Sequence, residues 1–188
     1  MALKLTETWE QALLTAIAQM ATQSNFDGFL GRTALQKILY FLQISGVPMK
    51  YRFDLYHYGP YCDLISRDVE WLLADGVLKD ESTNPIKYSN YRTSDEADEL
   101  LEIHRKDLKM YKTIIDTVVK ALLPLKPDHL EMLATLDYVY RYIRAGGGEG
   151  PWKKRVIDRF MQVKKDKFQY SQVSSSYEAL ERANLVQS

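Results

Sequence analysis

Residues 57–63, His57-Tyr58-Gly59-Pro60-Tyr61-Cys62-Asp63, gather the only cysteine of the chain, a histidine, two tyrosines and a carboxylate. A cysteine nucleophile needs a base within hydrogen-bond reach and donors for an oxyanion. Five residues across a Gly-Pro corner do not set His57 against Cys62 in any defined way, and Cys62 reads as incidental. A metal site fares no better: His57, His104 and His129 are far apart, none sits in an HExxH-like spacing, and there is no second cysteine. The stretch AGGGEGPWKK (145–154) places glycines before a helix start, but it follows a helix and lacks the Gly-Lys-Ser/Thr ending of a phosphate loop. It reads as a hinge. The expectation is a protein with no catalytic residues, no metal and no cofactor.

The elements that must position this corner are mostly helical. Thr8-x-x-Gln11 opens a helix over 8–22, with Trp9, Leu13, Ala16, Ile17 and Met20 on one face. Thr33-x-x-Gln36 opens a second over 33–45, which Gly46 and Pro48 end. Residues 50–59 alternate instead, with Tyr51, Phe53, Leu55 and His57 on one face and Arg52, Asp54, Tyr56 and Tyr58 on the other, which predicts a strand. Gly59-Pro60 stops it, and Pro60 fits the first turn of a third helix over 61–75. That helix turns Leu64, Ile65, Val69, Leu72 and Leu73 to the core. Residues 77–94 read as two short strands around the break at Asn84-Pro85.

Beyond residue 94 the pattern is helical. Leu101, His104, Leu108, Tyr111, Ile115, Val118 and Leu122 form a heptad seam, on which a homodimer through 101–122 could be built. Asp128-x-x-Glu131 predicts the start of a helix to about Arg144, Pro151 the start of a basic helix, and Ser175-x-x-Glu178 the start of a last short one. The order helix, helix, strand, helix, hairpin, helix predicts a mostly α (α+β) fold. Its core over 1–94 is winged helix-turn-helix-like with a small β-hairpin wing, and a C-terminal helical extension over 95–188 packs on it or completes one domain.

Charge narrows the partners. Lys+Arg and Asp+Glu number 25 each, so no global field draws the chain to nucleic acid. In a winged helix the third helix enters the major groove, but here it carries Asp63, Asp68, Glu70 and Asp75 against Arg67 alone. Phosphates would repel it. The wing sets Lys79, Lys87 and Arg92 against Asp80 and Glu81. The dense basic cluster lies at Lys153, Lys154, Arg155, Arg159, Lys164, Lys165 and Lys167, read either as a solvated helix face or as a patch for nucleic acid or an acidic partner. Aromatic anchors with a few fixed charges are what protein interfaces concentrate. The lone cysteine, the absence of a long apolar span and the acidic residues in the N-terminal MALKLTETWEQ predict a cytoplasmic protein that does not enter membranes.

Over 35–78 the motifs Leu35-Gln36-Lys37-Ile38-Leu39-Tyr40-Phe41, Tyr58-Gly59-Pro60-Tyr61 and Gly76-Val77-Leu78 resemble the YwgA-type family. The pattern is similar to Panacea (SocA-like) antitoxin domains and to the C-terminal toxin-sequestering domain of DarG-type macrodomain antitoxins. The resemblance covers roughly a quarter of the chain, a third with the hairpin to residue 94. It implies a non-catalytic module that binds a partner protein, often a toxin, in a toxin–antitoxin or phage-defence setting, without de-modification activity. The expected partner-binding residues are Tyr56, Tyr58, Gly59, Pro60, Tyr61, Asp63, Arg67 and Asp68, with Gln36 and Lys37 supporting the corner. The alternative is a dimeric winged-helix DNA-binding transcriptional regulator that touches DNA with the wing and the 153–167 cluster.

Overall fold

The computed structural model describes residues 6–24, 28–85 and 87–187. Among them are eight α-helices and two two-stranded sheets, a mostly helical fold. The chain divides into two compact units, Met1–Asp54 with Cys62–Leu125, and Leu55–Tyr61 with Lys126–Ser188.

In the first unit, α1 (Trp9–Gln23) begins at the expected capping box: Gln11 N–H donates to Thr8 Oγ1 at 3.3 Å, and Thr8 N–H donates to Gln11 Oε1 at 3.0 Å. Leu13, Leu14, Ile17 and Ala18 are fully buried. Helix α2 (Arg32–Ile44) starts after Gly31, so Thr33, expected to cap it, lies inside its first turn, and Gln36 bonds elsewhere. It buries Leu35, Ile38, Leu39 and Leu42. The expected strand over 50–59 is shorter. β1 is Asp54–Tyr56, and the chain folds straight back into β2 (Gly59–Tyr61). Gly59 at φ 85° allows this: a left-handed residue after His57-Tyr58 closes a tight hairpin that a side chain would strain. Pro60 therefore lies in β2 and not in the first turn of a helix.

Helix α3 (Asp63–Ala74) follows, packed on α1 with Ile65, Val69 and Leu72 inward. Leu64, expected in the core, is exposed, and Leu73 is half-buried. The hairpin expected over 77–94 pairs β3 (Leu78–Asp80) with antiparallel β4 (Tyr91–Thr93), in the register Leu78↔Thr93, Lys79↔Arg92 and Asp80↔Tyr91. Strand β4 lies along α1.

The long helix expected after residue 94 is broken at His104 into α4 (Ala97–Ile103) and α5 (Arg105–Leu122). His104 leaves helical geometry there, with its Nε2 2.9 Å from the Glu7 carbonyl oxygen and its ring 6.0 Å from that of Trp9. Trp9 also meets Tyr111 at 6.0 Å. The heptad seam is thus used within the chain: α4 packs on α1 and α5 on α2, burying Ile115, Val119 and Leu122. These contacts bring 97–122 into the first unit, so the compact units do not divide at 94/95.

The second unit holds α6 (Pro127–Ala145), α7 (Trp152–Lys164) and α8 (Tyr170–Arg182) around Leu130, Leu136, Val156, Ile157, Phe160, Val173 and Tyr177. Pro127 occupies the first turn of α6, and Asp128 does not cap it. Helix α8 starts five residues before Ser175, where Gln169 and Gln172 form the capping box instead.

Candidate functional site

The first unit holds Gln36, Lys37, Asp63, Arg67 and Asp68. Gln36 is buried and grips Cys62 twice: its Nε2 donates to the Cys62 carbonyl at 2.9 Å, and its Oε1 accepts from the Cys62 N–H at 2.9 Å. Both polar groups of a buried backbone unit are satisfied by one side chain. The supporting role expected of Gln36 thus has a definite geometry, and Cys62 is positioned through its backbone. Lys37 is buried as well.

Asp68 faces inward. Tyr51 Oη donates to its Oδ2 at 2.8 Å, and Gln11 Nε2 donates to its Oδ1 at 3.4 Å. Burial raises its carboxyl above the usual range, against the Tyr51 hydrogen bond and the nearby Arg67 charge, which pull it down. Burial and the Asp68 charge together push the Tyr51 hydroxyl far above its ordinary value. Asp63 and Arg67 are exposed, and the Arg67 guanidinium lies 5.4 Å from the Trp71 ring centroid. Sequence reasoning passed over Trp71 altogether. The available signal was its place one heptad after Leu64, opposite the Ile65–Val69–Leu72 stripe.

The second unit holds the hairpin residues. Tyr56 is 55% and Tyr58 65% exposed, with His57 exposed between them, while Gly59 and Pro60 are buried on the side where β2 meets α6. Tyr56 and Tyr61 rest on each other at 5.4 Å between ring centroids. Beneath the tip lies a charge cluster that joins two lysines of the expected basic patch to carboxylates of α6. Lys164 Nζ donates to the His57 carbonyl at 2.6 Å and to Glu131 Oε1 at 2.8 Å. Lys167 Nζ donates to Glu131 Oε2 at 2.7 Å, stands 3.4 Å from Asp128 Oδ1, and lies 5.2 Å from the centroid of the Tyr58 ring. The sequence signal for Glu131 was a carboxylate inside the apolar run Leu130–Ala134.

The basic cluster is largely spent inside the unit. Lys153 pairs with Glu178 at 2.6 Å and Lys154 with Asp158 at 2.6 Å. Arg155 donates to the Glu149 carbonyl, and Arg159 Nη1 donates to Gln162 Oε1 at 3.2 Å. Lys164 and Lys167 share Glu131, and Lys165 is exposed. In the β3–β4 hairpin, Arg92 Nη1 donates to the Ala21 carbonyl at 2.6 Å, capping the end of α1, and its Nη2 donates to the Gly28 carbonyl at 3.2 Å. Asp80 Oδ1 accepts from the N–H groups of Ser82 at 3.0 Å and Asn90 at 2.9 Å. Burial raises its carboxyl, but the hydrogen bonds outweigh that and hold it below the usual range.

Among the described residues no group of three or more His, Cys, Asp or Glu could hold a metal ion, and no helix is long and apolar enough to cross a membrane. A scan against protein-family models finds no match, and a search of the curated proteins finds none either.

Proposed function

We propose that the chain is a non-enzymatic, winged-helix-like protein-interaction module, an antitoxin or phage-defence protein of the cytoplasm that sequesters a partner protein. One observation carries this reading: Tyr56 and Tyr58 are displayed on a hairpin whose backbone is held from beneath by the buried Lys164. Exposed aromatics on a preorganised backbone are suited to binding, since little conformational freedom is left to lose on association. The YwgA-type motifs over 35–78 point the same way. The winged-helix reading of the core draws support from the β3–β4 hairpin directly after α3.

The DNA-binding alternative has less support. The outer face of α3 sets Asp63 and Glu70 beside Arg67, Arg92 of the wing is engaged at α1, and the basic cluster is mostly paired. The test is capture from the native host. Wild-type protein is expected to retain a stoichiometric small toxin and to relieve its growth arrest on co-expression, with both effects lost in Tyr56→Ser/Tyr58→Ser. Salt-sensitive duplex binding with no protein captured would overturn the proposal in favour of the regulator.

A further inference from the structure

Helix α3 has two faces. The inner one, Ile65, Val69 and Leu72, packs within the unit. The outer one repeats every seven residues. Leu64 and Trp71, 38% and 37% exposed, stand one heptad apart along its middle, with the exposed Arg67 and Ala74 interleaved. Asp63 and Glu70, also exposed, stand one heptad apart along one edge, and the ion pairs of the described residues fall elsewhere. In coiled-coil terms Leu64 and Trp71 occupy a positions, Arg67 and Ala74 d positions, and Asp63 and Glu70 g positions. The opposite edge differs: of its e positions, Asp68 faces inward to Tyr51 and Gln11, and Asp75 is half-buried with its Oδ2 accepting from Thr6 Oγ1 at 2.8 Å.

We propose that this outer face of α3 is a docking strip for a basic amphipathic helix of the partner protein, lying along it in coiled-coil fashion with Lys or Arg at the positions that meet Asp63 and Glu70. The inference rests on the proposed partner-binding function and adds a second contact, with its chemistry, on a different unit from the hairpin tyrosines. Charge selects the occupant. An antiparallel second copy of α3 would set the exposed Asp63–Glu70 edge against itself, and a parallel one would offer that edge no cation, which disfavours self-pairing. A nucleic-acid backbone would meet two carboxylates for each guanidinium. An apolar strip with carboxylates along its flank is completed by a helix that brings leucine to the middle and cations to the rim. The strip runs along the 12 residues of α3, about 18 Å of helix, so the contact belongs to the small, weak class.

The test uses the full-length protein and two fluorescein-labelled three-heptad peptides, both with Leu at a and Ala at d. One carries Lys and the other Glu at every e and g position. Anisotropy should show saturable binding of the Lys peptide only. Trp71→Ser and Glu70→Lys should each weaken it at least tenfold, and Asp63→Lys/Glu70→Lys should shift preference to the Glu peptide. The charge-reversed variant alters only exposed positions, so it tests the idea even if Trp71→Ser folds poorly. Equal binding of both peptides, or indifference to the reversal, would overturn the inference. Tyr56→Ser/Tyr58→Ser should leave peptide binding unchanged, and its loss there would also overturn the α3 assignment. If the captured host protein depends on the tyrosines but not on Asp63, Glu70 or Trp71, this inference fails while the proposed function stands. If no host protein is captured, the proposed function fails by itself.

Discussion

Lys164 Nζ donates at once to Glu131 Oε1, 2.8 Å away, and to the His57 carbonyl oxygen, 2.6 Å away, and neither charged side chain is more than 4% exposed. A buried ion pair is a weak source of net stability, yet removing one partner strands the other. Glu131 serves two ammonium groups, whereas Lys164 shares its carboxylate with Lys167. The two single deletions should therefore differ. Glu131→Leu leaves a buried lysine uncompensated and should cost about 3–5 kcal/mol. Lys164→Met leaves Glu131 with Lys167 and should cost about 1–3 kcal/mol, mostly from lost hydrogen bonds. The double variant should be more stable than Glu131→Leu alone. Urea unfolding followed by circular dichroism reads all three, and equal losses for the singles would contradict the shared-carboxylate picture.

The Gln36–Cys62 pairing makes a second prediction. Gln36→Leu removes partners from two buried backbone groups and should cost about 1–3 kcal/mol for each. Cys62→Ser should cost less than Gln36→Leu, about 1–3 kcal/mol for a buried hydroxyl, because both backbone bonds to Gln36 remain. A Cys62→Ser variant less stable than Gln36→Leu would show that the side chain, not the backbone, matters at this corner.

Capping patterns show how much of the fold was legible. Thr8-x-x-Gln11 is a capping box in fact, because Gln11 keeps its carbonyl oxygen for its own helix start. Three similar patterns are not: Thr33, Asp128 and Ser175 lie inside α2, α6 and α8. The fourth residue of each pattern bonds to a distant one, Gln36 to Cys62, Glu131 to Lys164 and Glu178 to Lys153. Helix interiors were readable from apolar periodicity, which is a local property. The uses of polar side chains were not, because they depend on what packs against the helix. The same holds at residues 54–61. Gly59-Pro60 reads locally as a stop, while the folded chain uses Gly59 at φ 85° to turn one strand into the next. Of the expected docking residues, Tyr56 and Tyr58 are displayed and Asp68 is turned inward, while Trp71 is not among them and Glu131 reads in the sequence only as part of a helix start.

Asp68 and Asp80 should give opposite pH dependences. Burial makes Asp68 bind its proton more tightly folded than unfolded. Its contribution is thus present below the unfolded value near about 3.9 and is lost as pH rises through the folded one. The wild-type urea midpoint should fall relative to Asp68→Asn as pH rises from about 4. Asp80 is held below its ordinary value by the Asn90 and Ser82 N–H groups, despite its burial. Its contribution is present above the unfolded value and is lost as pH falls through the folded one. Protection of the Ser82 and Asn90 amides, taken relative to the intrinsic exchange rate at each pH, should fall in wild type as pH drops below the ordinary carboxylate value of about 3.9, and should be low at every pH in Asp80→Ala. Matching slopes for the two sites would refute the assignment.

Gly59 offers a backbone test of the hairpin. At φ 85° an L side chain is strained, so Gly59→Ala should cost about 1–2 kcal/mol and loosen the display of Tyr56 and Tyr58. Amide exchange over 56–61 should quicken, while exchange in α1 and α2 stays as in wild type. Uniform acceleration across the chain would show that the hairpin is not a local element.

The seam over 101–122 decides between assembly and packing. A dimer built on it would need Leu101, Leu108, Ile115 and Leu122 facing a second chain. Instead, Ile115 and Leu122 are buried together with Val119 where α5 meets α2, and Leu101 and Leu108 are half-buried. Trp9 of α1 closes the N-terminal end, with its ring against His104 and Tyr111 and its Nε1 donating to the Pro48 carbonyl at 2.7 Å. The chain should therefore scatter light as a monomer at all accessible concentrations. Val119→Asp buries an unpaired charge, so it should unfold the first unit. A seam used for dimerisation would respond otherwise, with Val119→Asp yielding a stable, folded monomer from a wild-type dimer. Light scattering and circular dichroism on the two proteins separate these outcomes, and the packing against Trp9 and α2 predicts the unfolded one.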